Sequence, residues 1–443
     1  MAKNRLSCSV LAGGPTLRAA SALLGALVLL GPLASGAEKK AADLPPPPGT
    51  LARELEHSGA GAPRAAVSPV GGDPALGRPI EIPFVLEGGH IIVEASINGG
   101  PLLPFLFDTG AGTTLTEDTA QGLRTSAKRS LQVGGVGRKR LSARTIEVDR
   151  ITIGAATFEH HTVTVHDFRN IIVDRGSRAR LAGFIGSELL MRFAVTIDFK
   201  QRLLTFNALG FRPPSSQFAL PLGMSISPEG LSLPSVQAEV DGVAGEFVLD
   251  TGSTGEVFVS RAFQRSRAFG GRGKSFRFLG AGGIGGPAHV SLGFGERLRL
   301  GPLSLSPPMI MGSMDEAGFA VPPSIAGLIG YGVLRLFVVT IDYQAGRVYF
   351  ERIAGRELPT AFRSAGMMLD KPDHDAFEIL DVLAGSAAER AGLRRGDLIV
   401  EVGGRSARDL GISDLSVRDS EETLLVTTSD RRSYDLAIEK LLP

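Results

Sequence analysis

The sequence predicts a mainly β protein in which one β lobe is present twice in a single chain and a small α+β domain follows. Two observations predict it. The 443 residues include 57 Gly and 27 Pro, no Trp and only 6% aromatic residues, which suits many short strands joined by turns and not an all-helical bundle. Three sequence blocks also recur in one order at nearly one spacing, the mark of an internal duplication. A hydrophobic fraction of 43% and a charged fraction of 21% exclude disordered and fibrous classes. Lys and Arg total 47 against 46 Asp and Glu, a formal net charge of +1, so no basic excess points to nucleic acid or an anionic membrane.

Lys3, Arg5 and Arg18 precede an apolar stretch from Ala19 to Leu33, which is followed by Ala34, Ser35, Gly36 and Ala37. That order reads residues 1–37 as a secretory signal peptide and the protein as exported, periplasmic or extracellular. The apolar stretch contains Pro32 and is shorter than the ~20 residues that span a bilayer, so membrane attachment follows only if the signal stays uncleaved. Cys8, the one cysteine, lies before this stretch and leaves with it, so the mature chain has no disulfide and no cysteine nucleophile. Residues 38–79 are rich in Ala, Gly and Pro, include Pro45 to Pro48, and read as a linker or a removable pro-segment.

Short alternating or β-branched runs begin at Ile80: Ile80 to Leu86, Ile91 to Ile97, Phe105 to Phe107, Ile146 to Ile153 and Thr162 to Val165. Phe105-Leu106-Phe107-Asp108-Thr109-Gly110 recurs 142 residues later as Phe247-Val248-Leu249-Asp250-Thr251-Gly252. Gly183-Phe184-Ile185-Gly186 recurs 144 residues later as Gly327-Leu328-Ile329-Gly330, and the Phe193 to Phe199 block recurs at the same offset as Phe337 to Tyr343. Lobe one therefore covers residues 80–210 and lobe two residues 211–355, with Phe211 to Ser215 as the hinge.

Each Asp-Thr-Gly follows an apolar strand. An Asp at a strand end followed by Gly permits a tight loop whose backbone approaches a symmetry-related copy, because Gly has no Cβ to clash. If the lobes face each other, Asp108 and Asp250 meet. Two carboxylates that close share a proton and titrate as a pair. One takes a proton from water while the other donates to a carbonyl oxygen, which is general acid–base amide hydrolysis. Thr109 and Thr251 offer hydroxyls that can lock the loops together. Ser253 stands where lobe one has Ala111, so the two aspartates need not be equivalent.

These motifs resemble those of the aspartic proteases, and the lobe length and Gly-rich segments are closer to retropepsins than to pepsins. The resemblance covers roughly Ile80 to Arg352. It implies two retropepsin-like β-barrel lobes forming a bilobal acid-protease fold, with Asp108 and Asp250 catalytic and Thr109, Gly110, Thr251, Gly252 and Ser253 supporting the catalytic loops. It implies flaps at Gly134, Gly135 and Gly137 in one lobe and at Gly280, Gly282 and Gly283 in the other. All four Tyr lie at 331 or beyond, so lobe one lacks the flap tyrosine of pepsin-like enzymes. No cofactor and no metal are implied. His160, His161 and His166 match no zinc spacing, and strand alternation places His160 and His166 on one face.

Residues 356–443 lie outside the repeat and read as strand, short helix ending at glycine, turn and strand. Gly385-Ser386-Ala387-Ala388, Ala391-Gly392-Leu393 and Gly396-Asp397-Leu398-Ile399 resemble a PDZ domain of the bacterial type. That resemblance implies a C-terminal peptide ligand, with Gly366, Met367 and Met368 as the carboxylate loop. The segment from Leu410 to Asp419, where a groove-lining helix is expected, is helix-poor. The whole reads as an exported aspartic endopeptidase acting on protein or peptide substrates, with the PDZ domain docking substrate or regulating. The alternative is a non-catalytic envelope protein that holds peptides in the same cleft or on the PDZ edge.

Overall fold

The computed structural model describes residues 20–23 and 78–442, apart from 124, 126, 136–138, 167–180, 208–209, 215–216, 227–230, 266–274, 281–282, 316–323, 372–374 and 416–421. The expected signal peptide and linker lie outside the described residues, save for strand Ala20–Leu23, which pairs in parallel with residues 132–135, and for residues 78 and 79.

In lobe one, apolar runs interrupted by Asn-Gly and Gly turns cannot continue as one strand, and each folds back on its predecessor. Asn98 and Gly99, with φ of 52° and 72°, turn the chain between His90–Ile97 and Leu103–Phe107. Leu141–Ile153, Ala156–His166, Thr114–Thr116, Gly183–Ile185, Leu103–Phe107 and His90–Ile97 then pair in succession, and the last pairs back to the first. This closes a barrel filled by Val93, Phe105, Phe107, Ile151 and Phe158, all buried. Lobe two repeats its centre. Leu103–Phe107 runs parallel to Gly183–Ile185, itself antiparallel to Thr114–Thr116, and Val243–Leu249, Ile325–Ile329 and Val257–Val259 have the same relation.

Glycine in the second repeated block has a packing cause. A Cβ on Gly183 would stand 2.0 Å from the Thr114 carbonyl oxygen, and one on Gly327 would stand 2.0 Å from that of Phe258. Backbone cannot give way there without breaking the ladder. Gly183→Ala and Gly327→Ala are each expected to cost about 3 kcal/mol of stability, read as a lowered urea midpoint. An unchanged midpoint would contradict this packing.

The third repeated block makes the junction. Ala194–Asp198 pairs antiparallel with Phe337–Asp342, Thr196 faces Thr340, and their hydroxyls lie 2.8 Å apart. Leu203–Asn207 and Ile80–Pro83 extend this sheet on one side, and Arg347–Arg352 and Phe218–Pro221 extend it on the other. One six-stranded sheet thus spans both lobes about a local two-fold axis.

The terminal region forms a sheet in the order Met367–Asp370, Phe377–Val382, Leu398–Val402, Thr423–Thr428, Ser433–Ala437. Its helix Ala387–Arg390 is capped by Ser386, whose hydroxyl accepts from Glu389 N–H, and is followed by Gly392 at φ 86°. A 3₁₀ turn, Ile412–Leu415, stands in the segment where a groove helix is expected. Phe362, Met367 and Phe377 share one buried cluster with Phe258, Phe276 and Phe278, so this region packs directly on lobe two.

The histidine expectation needs correction. His160 has φ 53° and is exposed, whereas His166 is fully buried. The ladder pairs Val148 with His161 and Arg150 with Glu159, and this irregular residue between them breaks the alternation that would have put His160 and His166 on one face.

Candidate active site

Each Asp-Thr-Gly sits where a buried strand ends and cannot continue. Asp108 N–H donates to the Ile185 carbonyl at 2.9 Å, and Asp250 N–H donates to that of Ile329 at 3.0 Å. The loops then return under the apolar-Gly block: Ser187 N–H donates to Ala111 O, and Tyr331 N–H to Ser253 O. The threonines tie the loops across the axis. Thr109 Oγ1 donates to Leu249 O at 2.6 Å and accepts from Thr251 N–H at 3.1 Å. Reciprocally, Thr251 Oγ1 donates to Phe107 O at 2.9 Å and accepts from Thr109 N–H at 3.0 Å. Four buried hydrogen bonds therefore fix the relative position of the two aspartates.

Both aspartates are completely buried. Asp108 Oδ1 accepts from Gly110 N–H at 2.8 Å. Asp250 Oδ1 accepts from Gly252 N–H at 2.8 Å and also from Ser253 N–H at 3.2 Å. Among the described residues the Oδ2 atoms of both have no other hydrogen-bond partner, and the two carboxyl groups lie within hydrogen-bonding reach of each other. Each carboxyl also presses on the opposite glycine. A Cβ on Gly110 would stand 2.6 Å from Asp250 Oδ1, and one on Gly252 would stand 2.3 Å from Asp108 Oδ2. Burial holds both carboxyls well above the usual carboxylate range, and the neighbouring Asp250 charge raises Asp108 further. A single proton between two inward oxygens satisfies this geometry.

The flap candidates divide. Gly134 and Gly135 end strand Arg129–Gly135, which forms a hairpin with Leu141–Ile153, while Gly137 lies outside the described residues. Gly280 ends strand Phe276–Gly280, paired with Ala288–Phe294, and Gly283 accepts at its carbonyl from Gly286 N–H in the connecting turn. Gly282 lies outside the described residues. The two hairpins touch, Lys139 N–H donating to Gly285 O at 3.1 Å. Ile284, fully buried, reaches into a lobe-one cluster with Ile92, Leu106, Ala111, Val133 and Phe184.

His90 has no counterpart in the sequence reading. It is buried, its ring lies against the backbone of Glu87 and Gly252, and burial pushes its pKa down to about 4, so the imidazole is neutral. No spacing in the sequence singles it out. Its proximity to the second motif comes only from the way the lobes meet.

At the terminal domain, Gly366, Met367 and Met368 are buried. Gly366 N–H donates to Ser364 Oγ at 3.0 Å, and a Cβ on Gly366 would stand 2.1 Å from that of Ser386. Lys371, at the end of the same strand, donates through Nζ to Ala407 O at 3.0 Å and to Leu410 O. Gly366 thus packs tightly against Ser386 at the start of strand Met367–Asp370.

Residues 93–189 match the family model described as aspartyl protease, and residues 378–416 match that of the PDZ domain. The first match contains Asp108; the second Asp-Thr-Gly copy lies beyond it. No curated protein matches the chain. Among solved structures, the aspartic proteinase from Irpex lacteus is similar at 13% identity and a TM-score of 0.37, over 62% of this chain and 98% of that one. The chain carries an aspartyl protease domain and a C-terminal PDZ domain.

Proposed function

We propose that the protein is an exported aspartic endopeptidase that hydrolyses peptide bonds with water activated between Asp108 and Asp250. One observation carries this reading: two buried carboxyls, held by crossed threonine bonds, face each other with oxygens that only a shared proton or a substrate-bound water can satisfy. Asp250 Oδ1 receives two amide N–H groups and Asp108 Oδ1 one, so the resting negative charge favours Asp250 and the proton favours Asp108. Asp250 then takes a proton from the attacking water while Asp108 donates to the carbonyl oxygen. The tetrahedral intermediate collapses as the amine leaves with a proton, and the dyad returns to its singly protonated state. Thr109, Thr251, Gly110, Gly252 and Ser253 hold the loops; the hairpins bearing Gly134, Gly135, Gly280 and Gly283 enclose the substrate. Residues 1–37 support action outside the cytoplasm, on protein or peptide substrates.

Because both motifs belong to one chain, cleavage of a denatured protein or a fluorogenic peptide is expected at a rate per chain that does not change with dilution. The assay monitors specific activity over a hundred-fold range, about, of protein concentration at fixed substrate. Specific activity that collapses on dilution, or no cleavage at any pH, would count against an intramolecular dyad.

A further inference from the structure

Among the described residues, strand Phe276–Gly280 is the outermost strand of the lobe-two sheet and pairs on one side only, with Ala288–Phe294. An edge strand presents unpaired N–H groups that must be covered or solvated. Here the cover comes from the PDZ domain. Leu279 N–H donates to Asp381 Oδ2 at 2.8 Å, while Asp381 Oδ1 accepts from Val382 N–H at 2.9 Å and so fixes the carboxylate in place. Phe276, Phe278 and Leu279 are buried, and Phe276 and Phe278 share a cluster with Met367, Met368 and Leu380 of the PDZ sheet. The contact falls immediately before the turn of the hairpin. Five residues further on, Ile284 is buried in the cluster that includes Ala111, the residue that follows the first Asp-Thr-Gly.

We infer that Asp381 is a positioning residue: through its bond to Leu279 the PDZ domain holds the lobe-two hairpin so that Ile284 lies against the lobe-one catalytic loop. The PDZ sheet packs on this edge strand through the Asp381 bond and the shared apolar cluster. The mechanical consequence follows from the geometry. Substrate entry requires Ile284 to leave the Ala111 cluster, and the hairpin can swing only as far as its stem at Leu279 allows. Removing the Asp381 carboxylate leaves the Leu279 N–H unpaired and frees the stem.

The test uses the full chain in an Asp108→Asn background, which prevents self-cleavage, and reads hydrogen–deuterium exchange of peptides covering residues 276–288. Asp381→Ala is expected to speed exchange there by roughly tenfold or more, the loss of a bond to a charged acceptor. Exchange in Phe337–Asp342 and in Thr423–Thr428 should stay unchanged. Asp381→Asn, which keeps an acceptor, should restore protection to near the wild-type level. Unchanged exchange in the hairpin of Asp381→Ala would overturn the inference, and so would equal acceleration across the whole PDZ sheet, which would mark a merely structural role. Because exchange needs no turnover, this result is independent of the hydrolytic function, on which only the activity readout rests. In the active chain, Asp381→Ala should lower KM several-fold while kcat changes little, because a freed stem eases entry; a raised KM, or a fall in kcat alone, would contradict positioning.

Discussion

Asp108→Asn and Asp250→Asn are each expected to reduce peptide turnover by ~10³-fold or more, and the double variant is expected to be scarcely worse than either single one. Asn has the shape of Asp and can keep the amide bonds at Oδ1. It cannot act as a base, and it cannot share a proton with its neighbour. Because the two carboxyls act as a unit, removing one removes the function of both. Stability should move the other way. Burial raises both carboxyls, so the folded state holds its protons more tightly than the unfolded chain, and the pair's contribution is lost as pH rises through the folded values. The Asn variants lack one titrating group. Above the raised range they should therefore melt at or above the wild-type temperature. An inactive variant that is also unfolded would not support this account, and a single Asn variant with near wild-type turnover would contradict it.

Adding one methyl group at Gly110 or Gly252 is expected to be nearly as damaging. The added Cβ would stand 2.6 Å from Asp250 Oδ1 in one case and 2.3 Å from Asp108 Oδ2 in the other, well inside van der Waals contact. Either the carboxyl rotates out of the plane it shares with its partner or the loop moves back against the threonine bonds. Positioning errors near 1 Å cost on the order of 10²-fold in rate, so Gly110→Ala and Gly252→Ala should lose about that much in kcat/KM. The four bonds of Thr109 and Thr251 remain, so circular dichroism should still report a folded chain. Full activity in either variant would mean that the carboxyls do not lie against these glycines during turnover.

The repeat made much of this arrangement legible. Its first block ends on the aspartates, its second packs beside them through Gly183 and Gly327, and its third builds the shared sheet through Thr196 and Thr340. These features are local or related by a fixed offset, which a sequence records. What stayed hidden depends on contacts between elements with no common pattern. The burial of Ile284 in the lobe-one cluster that includes Ala111, the seat of His90 beside Gly252 and the bond from Leu279 to Asp381 each join residues from separate units. His160 was misplaced for a different reason: strand alternation assumes an unbroken ladder, and a positive φ breaks it there. At the PDZ domain the motif residues were visible, but the close packing of Gly366 on Ser386 is a matter of loop packing that no motif encodes.

The pH dependence of kcat/KM on a peptide substrate tests the shared proton most directly. Below the lower apparent pKa both carboxyls are protonated and no base is available; above the upper one both are ionised and no acid remains. The account predicts a bell-shaped profile peaking on the acidic side of neutral. Both limbs should be displaced above the ordinary carboxylate value, because burial raises both groups. Turnover should persist with chelators and with serine-directed reagents, and a statine-type transition-state analogue should compete with substrate. A profile with a single limb, or turnover abolished by chelation, would contradict a proton shared between Asp108 and Asp250.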